Sequence, residues 1–267
     1  MARSAPPDRS QGGAVVCGFA QSAVEGIRSA GRALATALFP PRCAACGRPG
    51  PALCQPCLAT ATVLARPHCR QCTRPLRYGD QCARCRHEGR RVDHLYVPYA
   101  YTPPILQAVQ RFKYANKRYL AADLAALAIS ALPPDLQVDF VVPVPLARSR
   151  ERQRGYNQGR LLAAEVARRL DLPLDAGVLI RLRDTPAQTS LPRARRIHNV
   201  RGAFRARRRL SGARILLVDD VTTTGATIDA ATRALRRRGA VWVGALALAR
   251  TPEERRDVPS NPSDLLL

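Results

Sequence analysis

From residue 92 onward, short apolar runs rich in β-branched residues alternate with segments whose apolar positions recur every three or four residues. The run "VDHLYVPYAY" reads as a strand, and Pro103-Pro104 open a helix through about Tyr114. A second helix, "YLAADLAALAISAL", is stopped by Pro133-Pro134, and "VDFVVPVP" follows as a buried strand. Next come an amphipathic helix, "NQGRLLAAEVARRL", with Asn157 placed to cap it, and a strand, "GVLIRL". "LPRARRIHNV" predicts a short helix with Ser190 as cap and Pro192 in its first turn. The clearest strand is "ARILLVDD"; "GATIDAATRALRRRG" is a helix ended by Gly239, and "VWVGALALA" a further buried strand. Strands alternating with helices in this way predict an α/β domain with a mainly parallel sheet flanked by helices.

The N-terminal part has a different texture. Residues 1–20 combine Asp8, prolines and a short broken apolar stretch, which suits a flexible leader better than a signal peptide. Residues 21–41 carry helical spacing, with Ala33, Leu34, Ala37 and Leu38 on one face. Residues 42–90 form a small cysteine-rich lobe, 91–250 the α/β domain, and 251–267 a loose tail. No apolar run has the length of a membrane-spanning helix, and the expected location is cytoplasmic.

Eight of the nine cysteines fall in four C-x2-C pairs: Cys43/Cys46, Cys54/Cys57, Cys69/Cys72 and Cys82/Cys85. They lie in two similar units, "CAACGRPGPALCQPC" and "CRQCTRPLRYGDQCARC". A C-x2-C turn brings two thiolates to one metal ion, and two such turns complete a four-thiolate zinc site. Gly47, Pro49 and Pro75 suit the tight turns. Disulfides would need an oxidising compartment, and four tandem pairs are unlike a single redox motif. Two structural Zn2+ ions are therefore expected. Pairing within each unit is the simple arrangement; interleaved pairing stays open. Cys17 stands alone, as a small apolar residue rather than a ligand. His68 and His87 are expected to be solvated or capping residues.

Charge adds a partner class. The formal net charge is +23, and the positive residues are nearly all arginine, with Lys113 and Lys117 the lysines. Part of this is a solvated surface, but the imbalance favours an anionic partner: nucleic acid, a phosphorylated metabolite, or both.

One stretch concentrates the chemistry. In "RILLVDDVTTTGAT", a buried strand ends in Asp219 and Asp220, then a bulk-free loop enters a helix. Ligands of open α/β sheets bind beyond the carboxyl ends of strands. Adjacent carboxylates can accept hydrogen bonds from a vicinal diol or bind hydrated magnesium. Small residues, Gly225 and a helix N-terminus let backbone N–H groups reach a phosphate. The alternative is helix capping by one aspartate, which needs neither two acids nor a buried strand before them. Diol acceptors followed by a phosphate cradle describe a ribose 5-phosphate site.

That stretch closely resembles the phosphoribosyl-pyrophosphate (PRPP) signature of type I phosphoribosyltransferases. The blocks "FPPRCAACG", "ALCQPC", "FKYANKRYLA", "VVPVPLARSRERQRGYNQ" and "RDTPAQTSLPRARRIHNVRGAF" resemble the ComF family, over about residues 33–250. The resemblance implies a type I phosphoribosyltransferase fold with an N-terminal double zinc ribbon. It implies that Asp219 and Asp220 contact the ribose hydroxyls at the catalytic centre, and that Thr222, Thr223, Thr224, Gly225, Ala226 and Thr227 hold the 5-phosphate. The strand end and loop Val142–Arg150, with Pro143, Val144, Arg148 and Arg150, would grip pyrophosphate; Arg148 and Arg150 could equally be solvated charges. Gly155 and Tyr156 would shape that side of the site. A hood would include Thr185, Gln188, Arg196 and Asn199; from Arg181 to Arg209 there are ten arginines against one acid, Asp184. Lys113, next to Tyr114 in "FKY", would line the acceptor side.

Two function classes follow from the resemblance. One is a PRPP- and Mg2+-dependent phosphoribosyltransferase of open acceptor, with a role in competence-related DNA uptake. In it pyrophosphate leaves from C1, and positioning and electrostatics carry most of the rate. The other is a single-stranded DNA-binding protein of natural transformation with a non-catalytic PRPP site. Tyr96, Tyr99, Tyr101 and Trp242 are its candidate stacking residues. Competence proteins such as a helicase are candidate partners.

Overall fold

A computed structural model describes residues 40–89, 91–183, 200 and 202–252. The expected leader, the 21–41 helix except its last residues, Cys17, the helix at 191–200 and nearly all of the tail lie outside the described residues. So do the hood residues Thr185, Gln188, Arg196 and Asn199.

The α/β domain is built on a parallel sheet. Strand β1 (His94–Tyr96) and its continuation β2 (Tyr99–Ala100) form one edge. They pair with β7 (Trp242–Arg250), which pairs with β6 (Arg214–Thr222), and β6 pairs with β3 (Phe140–Pro143) at the other edge. The expected single strand over residues 92–101 is split because Pro98 cannot donate to a ladder. In β6 and β7 nearly every residue is buried, because helices cover both faces. β4 (Leu179–Arg181) forms, but in a separate antiparallel pair with β5 (Phe204–Ala206).

The helices present apolar stripes to this sheet. On one face lie α3 (Ile105–Tyr114), α4 (Leu120–Ile129) and α6 (Gln158–Leu170). Ile105, Ala108, Val109 and Phe112 of α3 are buried at the three-and-four spacing that makes one helical face. On the other face α7 (Ala226–Arg236) buries Ile228, Ala231 and Leu235 against β4 and β5.

Each cysteine unit holds a short helix: α1 (Gln55–Ala59) in the first, α2 (Ala83–Glu88) in the second. Their knuckles repeat bond for bond. Cys43 N donates to Arg48 O and Cys69 N to Arg74 O, both at 2.8 Å. Gly47 and Thr73 occupy the same left-handed position, φ 77° and 55°. The first ribbon docks on the α4 side, where Ala52 N donates to Asp123 Oδ2 at 2.6 Å. The second docks beside β1, where Leu95 N donates to Arg70 O at 2.6 Å. No helix among the described residues is long and apolar enough to cross a membrane.

Candidate functional site

The cysteines gather into two groups, Cys43/Cys46/Cys54/Cys57 and Cys69/Cys72/Cys82/Cys85, each with ligand atoms within 4.8 Å of one another. Pairing is thus within each unit. A tetrahedral zinc with Zn–S bonds of about 2.3 Å has S···S edges of about 3.8 Å. Cys46 Sγ–Cys54 Sγ is 3.6 Å and Cys72 Sγ–Cys82 Sγ is 3.7 Å, so both groups fit structural zinc. The Arg48 guanidinium, 3.4 Å from Cys46 Sγ, draws that thiol down to about 6, toward the thiolate a metal needs. His68 is not among the ligands; its Nδ1 lies 3.0 Å from the Ala65 carbonyl.

A cleft of about 600 Å3 opens beyond the carboxyl ends of β3 and β6. β6 runs past the predicted Asp220 to Thr222, whose carbonyl accepts from Thr251 N at 3.0 Å. Both aspartates therefore sit within strand β6, paired with β7 on one side and beyond the last residue paired with β3 on the other. Asp219 Oδ1 accepts from Asp220 N at 2.9 Å, and Asp220 Oδ1 from Val221 N at 2.6 Å. Lys113 Nζ, from the last turn of α3, lies 2.8 Å from Asp220 Oδ1. Asp220 Oδ2 is buried and has no hydrogen-bond partner among the described residues.

This close pairing sets the electrostatics. Burial, and then the Asp220 carboxylate, push Asp219 up to about 7 against the pull of Lys113. Burial alone would lower the Lys113 ammonium, but Asp220 more than offsets this and holds it charged above its usual value.

The next turn forms the cleft's second wall. Gly225 adopts φ 75°, a left-handed conformation that Gly tolerates best, and starts α7. Thr223, Gly225, Ala226 and Thr227 line the cleft with Thr222. Thr224 does not: it is buried, and its Oγ1 accepts from Ala226 N at 3.3 Å.

The 142–150 segment, expected as a strand end and loop, runs from strand into helix. Pro143 belongs to β3, and Arg148 begins a helix, α5 (Arg148–Arg154). Val144 and Arg150 line the cleft; Pro143 and Arg148 do not, and Arg148 is exposed. The "RGYNQ" block turns between α5 and α6. Asn157 Oδ1 caps α6 by accepting from Arg160 N at 3.1 Å. At Gly159 the helix start packs closely on the segment after β3: a Cβ there would lie 3.3 Å from Val144 O, a tight contact. Tyr156 is buried and donates its hydroxyl to the Phe112 carbonyl, so it braces α3 rather than lining the cleft.

Several lining residues had no clear signal in the pattern. Tyr101, Arg154, Gln158 and Arg181 reach the cleft from four different segments. The Arg154 guanidinium stacks over the Tyr114 ring at 4.8 Å, and its Nη2 donates to the Tyr114 hydroxyl at 3.2 Å. Buried Gln158 leaves Oε1 without a partner among the described residues. The proposed stacking residues separate: Tyr101 lines this cleft, Tyr96 and Tyr99 line a second groove, and Trp242 packs under Arg214 at the far end of the sheet.

Residues 157–266 match the phosphoribosyl transferase domain family, and residues 34–86 the double zinc ribbon domain. Competence protein F of Haemophilus influenzae is 30% identical over 182 residues, 65% of this chain and 80% of that one. DNA utilization protein YhgH of Salmonella typhimurium is 34% identical over 176 residues, 64% of this chain and 78% of that one. Among solved structures, orotate phosphoribosyltransferase from Aeropyrum pernix aligns with 51% of this chain and 74% of its own, at 18% identity and a TM-score of 0.31.

Proposed function

The chain belongs to the ComF family, and on that premise we propose that its cleft binds PRPP, presented with magnesium on its pyrophosphate, and transfers the phosphoribosyl group to an acceptor. One observation carries this reading: Asp219 and Asp220 at the end of β6 share a cleft with the Thr222–Thr227 turn and the N-terminus of α7. The carboxylates accept the ribose hydroxyls. The small-residue turn and helix N-terminus take the 5-phosphate. Arg150 and Arg154 face the pyrophosphate, where they offset its charge as it leaves C1. As fixed dipoles and charges, these groups need no reorganisation when the bond breaks. Magnesium as a resident ion of the carboxylate pair does not fit, because Lys113 already supplies the positive charge at Asp220.

Calorimetric titration of the zinc-loaded protein with PRPP and Mg2+ tests this. Saturable binding lost in D219A/D220A is the expected result. No PRPP heat beside clear binding of short single-stranded DNA would sink it and leave the second reading.

That second reading, a cytoplasmic single-stranded DNA-binding role in competence with a non-catalytic PRPP site, draws on the relatives' names and on exposed Arg148 and Arg152 of α5 beside the cleft. Under it, D219A/D220A would leave DNA affinity intact, and loss of arginines near the cleft would flatten its salt dependence.

A further inference from the structure

Two carboxylates on consecutive residues of a buried strand ordinarily call for a counter-charge, and a divalent cation is the usual candidate. Here the counter-charge comes from the chain. Lys113 extends from the last turn of α3 to Asp220 Oδ1 at 2.8 Å, with side-chain exposures of 16% and 6%. Its placement is over-determined. Phe112, beside it, is fully buried in the core, and the Phe112 carbonyl accepts from the Tyr156 hydroxyl. The end of α3 is thus tied to the turn that leads into α6, and Lys113 is held toward the carboxylates.

The consequence lies in the oxygens left over. Lys113 and Val221 N occupy Asp220 Oδ1, while Oδ2 is buried and has no hydrogen-bond partner among the described residues. An ammonium group neutralises without filling the several-oxygen coordination sphere that Mg2+ or Mn2+ demands.

We infer that Lys113 is the built-in cation of the Asp219–Asp220 pair: it excludes a divalent ion from these carboxylates and so leaves the pair to neutral sugar hydroxyls. This rests on the phosphoribosyl reading for the identity of the sugar, but not for the exclusion of metal. Lys113 is a positioning residue. It sets the charge and orientation of Asp220, and the ligand's magnesium travels with the pyrophosphate alone.

The test uses zinc-loaded full-length protein and two probes. Mn2+ binding is followed by the loss of the free-ion electron paramagnetic resonance signal. Ribose 5-phosphate, which lacks the metal-binding pyrophosphate, is titrated calorimetrically in chelator-free buffer without added divalent ion and in Mg2+. Wild type is expected to bind no Mn2+ at this site and to bind ribose 5-phosphate equally in both buffers. K113M should bind one Mn2+ per chain, lose at least tenfold in ribose 5-phosphate affinity without divalent ion, and regain most of it in Mg2+. K113M/D220N, which removes both partners of the ion pair, should bind no Mn2+ again and serves as the folded control. Wild-type Mn2+ binding that disappears in D220N overturns the inference, and so does a folded K113M that binds no Mn2+. If wild type binds no ribose 5-phosphate in either buffer, the phosphoribosyl reading fails, and the Mn2+ measurements alone decide the role of Lys113.

Discussion

Arg250, the last residue of β7, donates from Nη1 to Thr73 Oγ1 at 3.2 Å and to the carbonyl of Cys72. Its guanidinium is buried, and the next residue, Thr251, lines the cleft. The second cysteine knuckle and the ligand cleft are therefore joined through one side chain. Hydrogen bonds to a charged group contribute about 1.5–3 kcal/mol, and an orphaned buried carbonyl adds its own cost.

R250M is accordingly expected to lower stability by about 2 kcal/mol and to speed zinc release from the second ribbon. Of two zinc ions per chain, chelator assays should show one released faster and the other unchanged. Equal release rates for both ions would show that Arg250 does not brace the knuckle.

Stripping both zinc ions should lower ligand affinity as well as stability. The first ribbon bonds to Asp123 of α4 and the second to Leu95 of β1, so both lean on the sheet that carries the cleft. Structural zinc contributes on the order of 10 kcal/mol to small sites of this kind. Thermal denaturation with and without chelator, followed by PRPP titration of the apo protein, measures the two effects. An apo protein with unchanged Tm and affinity would show the lobe to be a passenger.

Asp219 gives the molecule a pH signature of two opposite signs. Its folded pKa is raised to about 7 by burial and by Asp220, against about 3.9 for an unperturbed aspartate. A raised carboxylate favours the protonated fold, so stability is fullest below about pH 4 for this group and falls as pH rises to about 7, levelling above. Binding runs the other way: the ionised carboxylate is the better acceptor, so ribose 5-phosphate affinity should climb through about pH 7. D219N should flatten the stability profile and leave in the binding profile only the slope of the ligand's own phosphate, whose second ionisation lies at about pH 6. Denaturation midpoints and titrations at matched pH check this, and parallel pH dependence in wild type and D219N would contradict it.

The periodicity of the chain located the main strands and helices because burial on both faces leaves unbroken apolar runs in β6 and β7, and burial on one face leaves stripes in α3 and α7. It also located the carboxylates and the small-residue turn, since adjacent Asp219 and Asp220 need only their own strand to reach the cleft. Other features depend on distant packing. Lys113 is 107 residues from Asp220, and nothing local marks it as an ion-pair partner rather than a solvated helix end. Arg148 and Arg150 look alike in "LARSR", yet helix α5 turns one to the cleft and leaves the other exposed. Trp242 looked available for stacking, but the strand register puts it at the opposite end of the sheet from Thr222. The second ribbon's knuckle shows the converse: Thr73 takes the left-handed position that Gly47 holds in the first, a geometry the residue type disguises.

Two glycine substitutions can separate the cleft from the fold. Gly225 sits at φ 75° at the start of α7, and a side chain there costs about 1–2 kcal/mol in backbone energy alone. It also lines the cleft, so its methyl group would stand where backbone N–H groups must approach a phosphate. Gly244 lies near the other end of β7, where a Cβ would overlap the Trp242 ring. Overpacking of that kind costs about 1–3 kcal/mol. G225A and G244A should therefore lose similar stability, read from chemical denaturation at fixed zinc. Ribose 5-phosphate affinity should fall at least tenfold in G225A and stay within twofold of wild type in G244A. Equal losses of affinity would mean that the ligand reads global stability, and the turn from Thr222 to Thr227 would lose its place as the phosphate cradle.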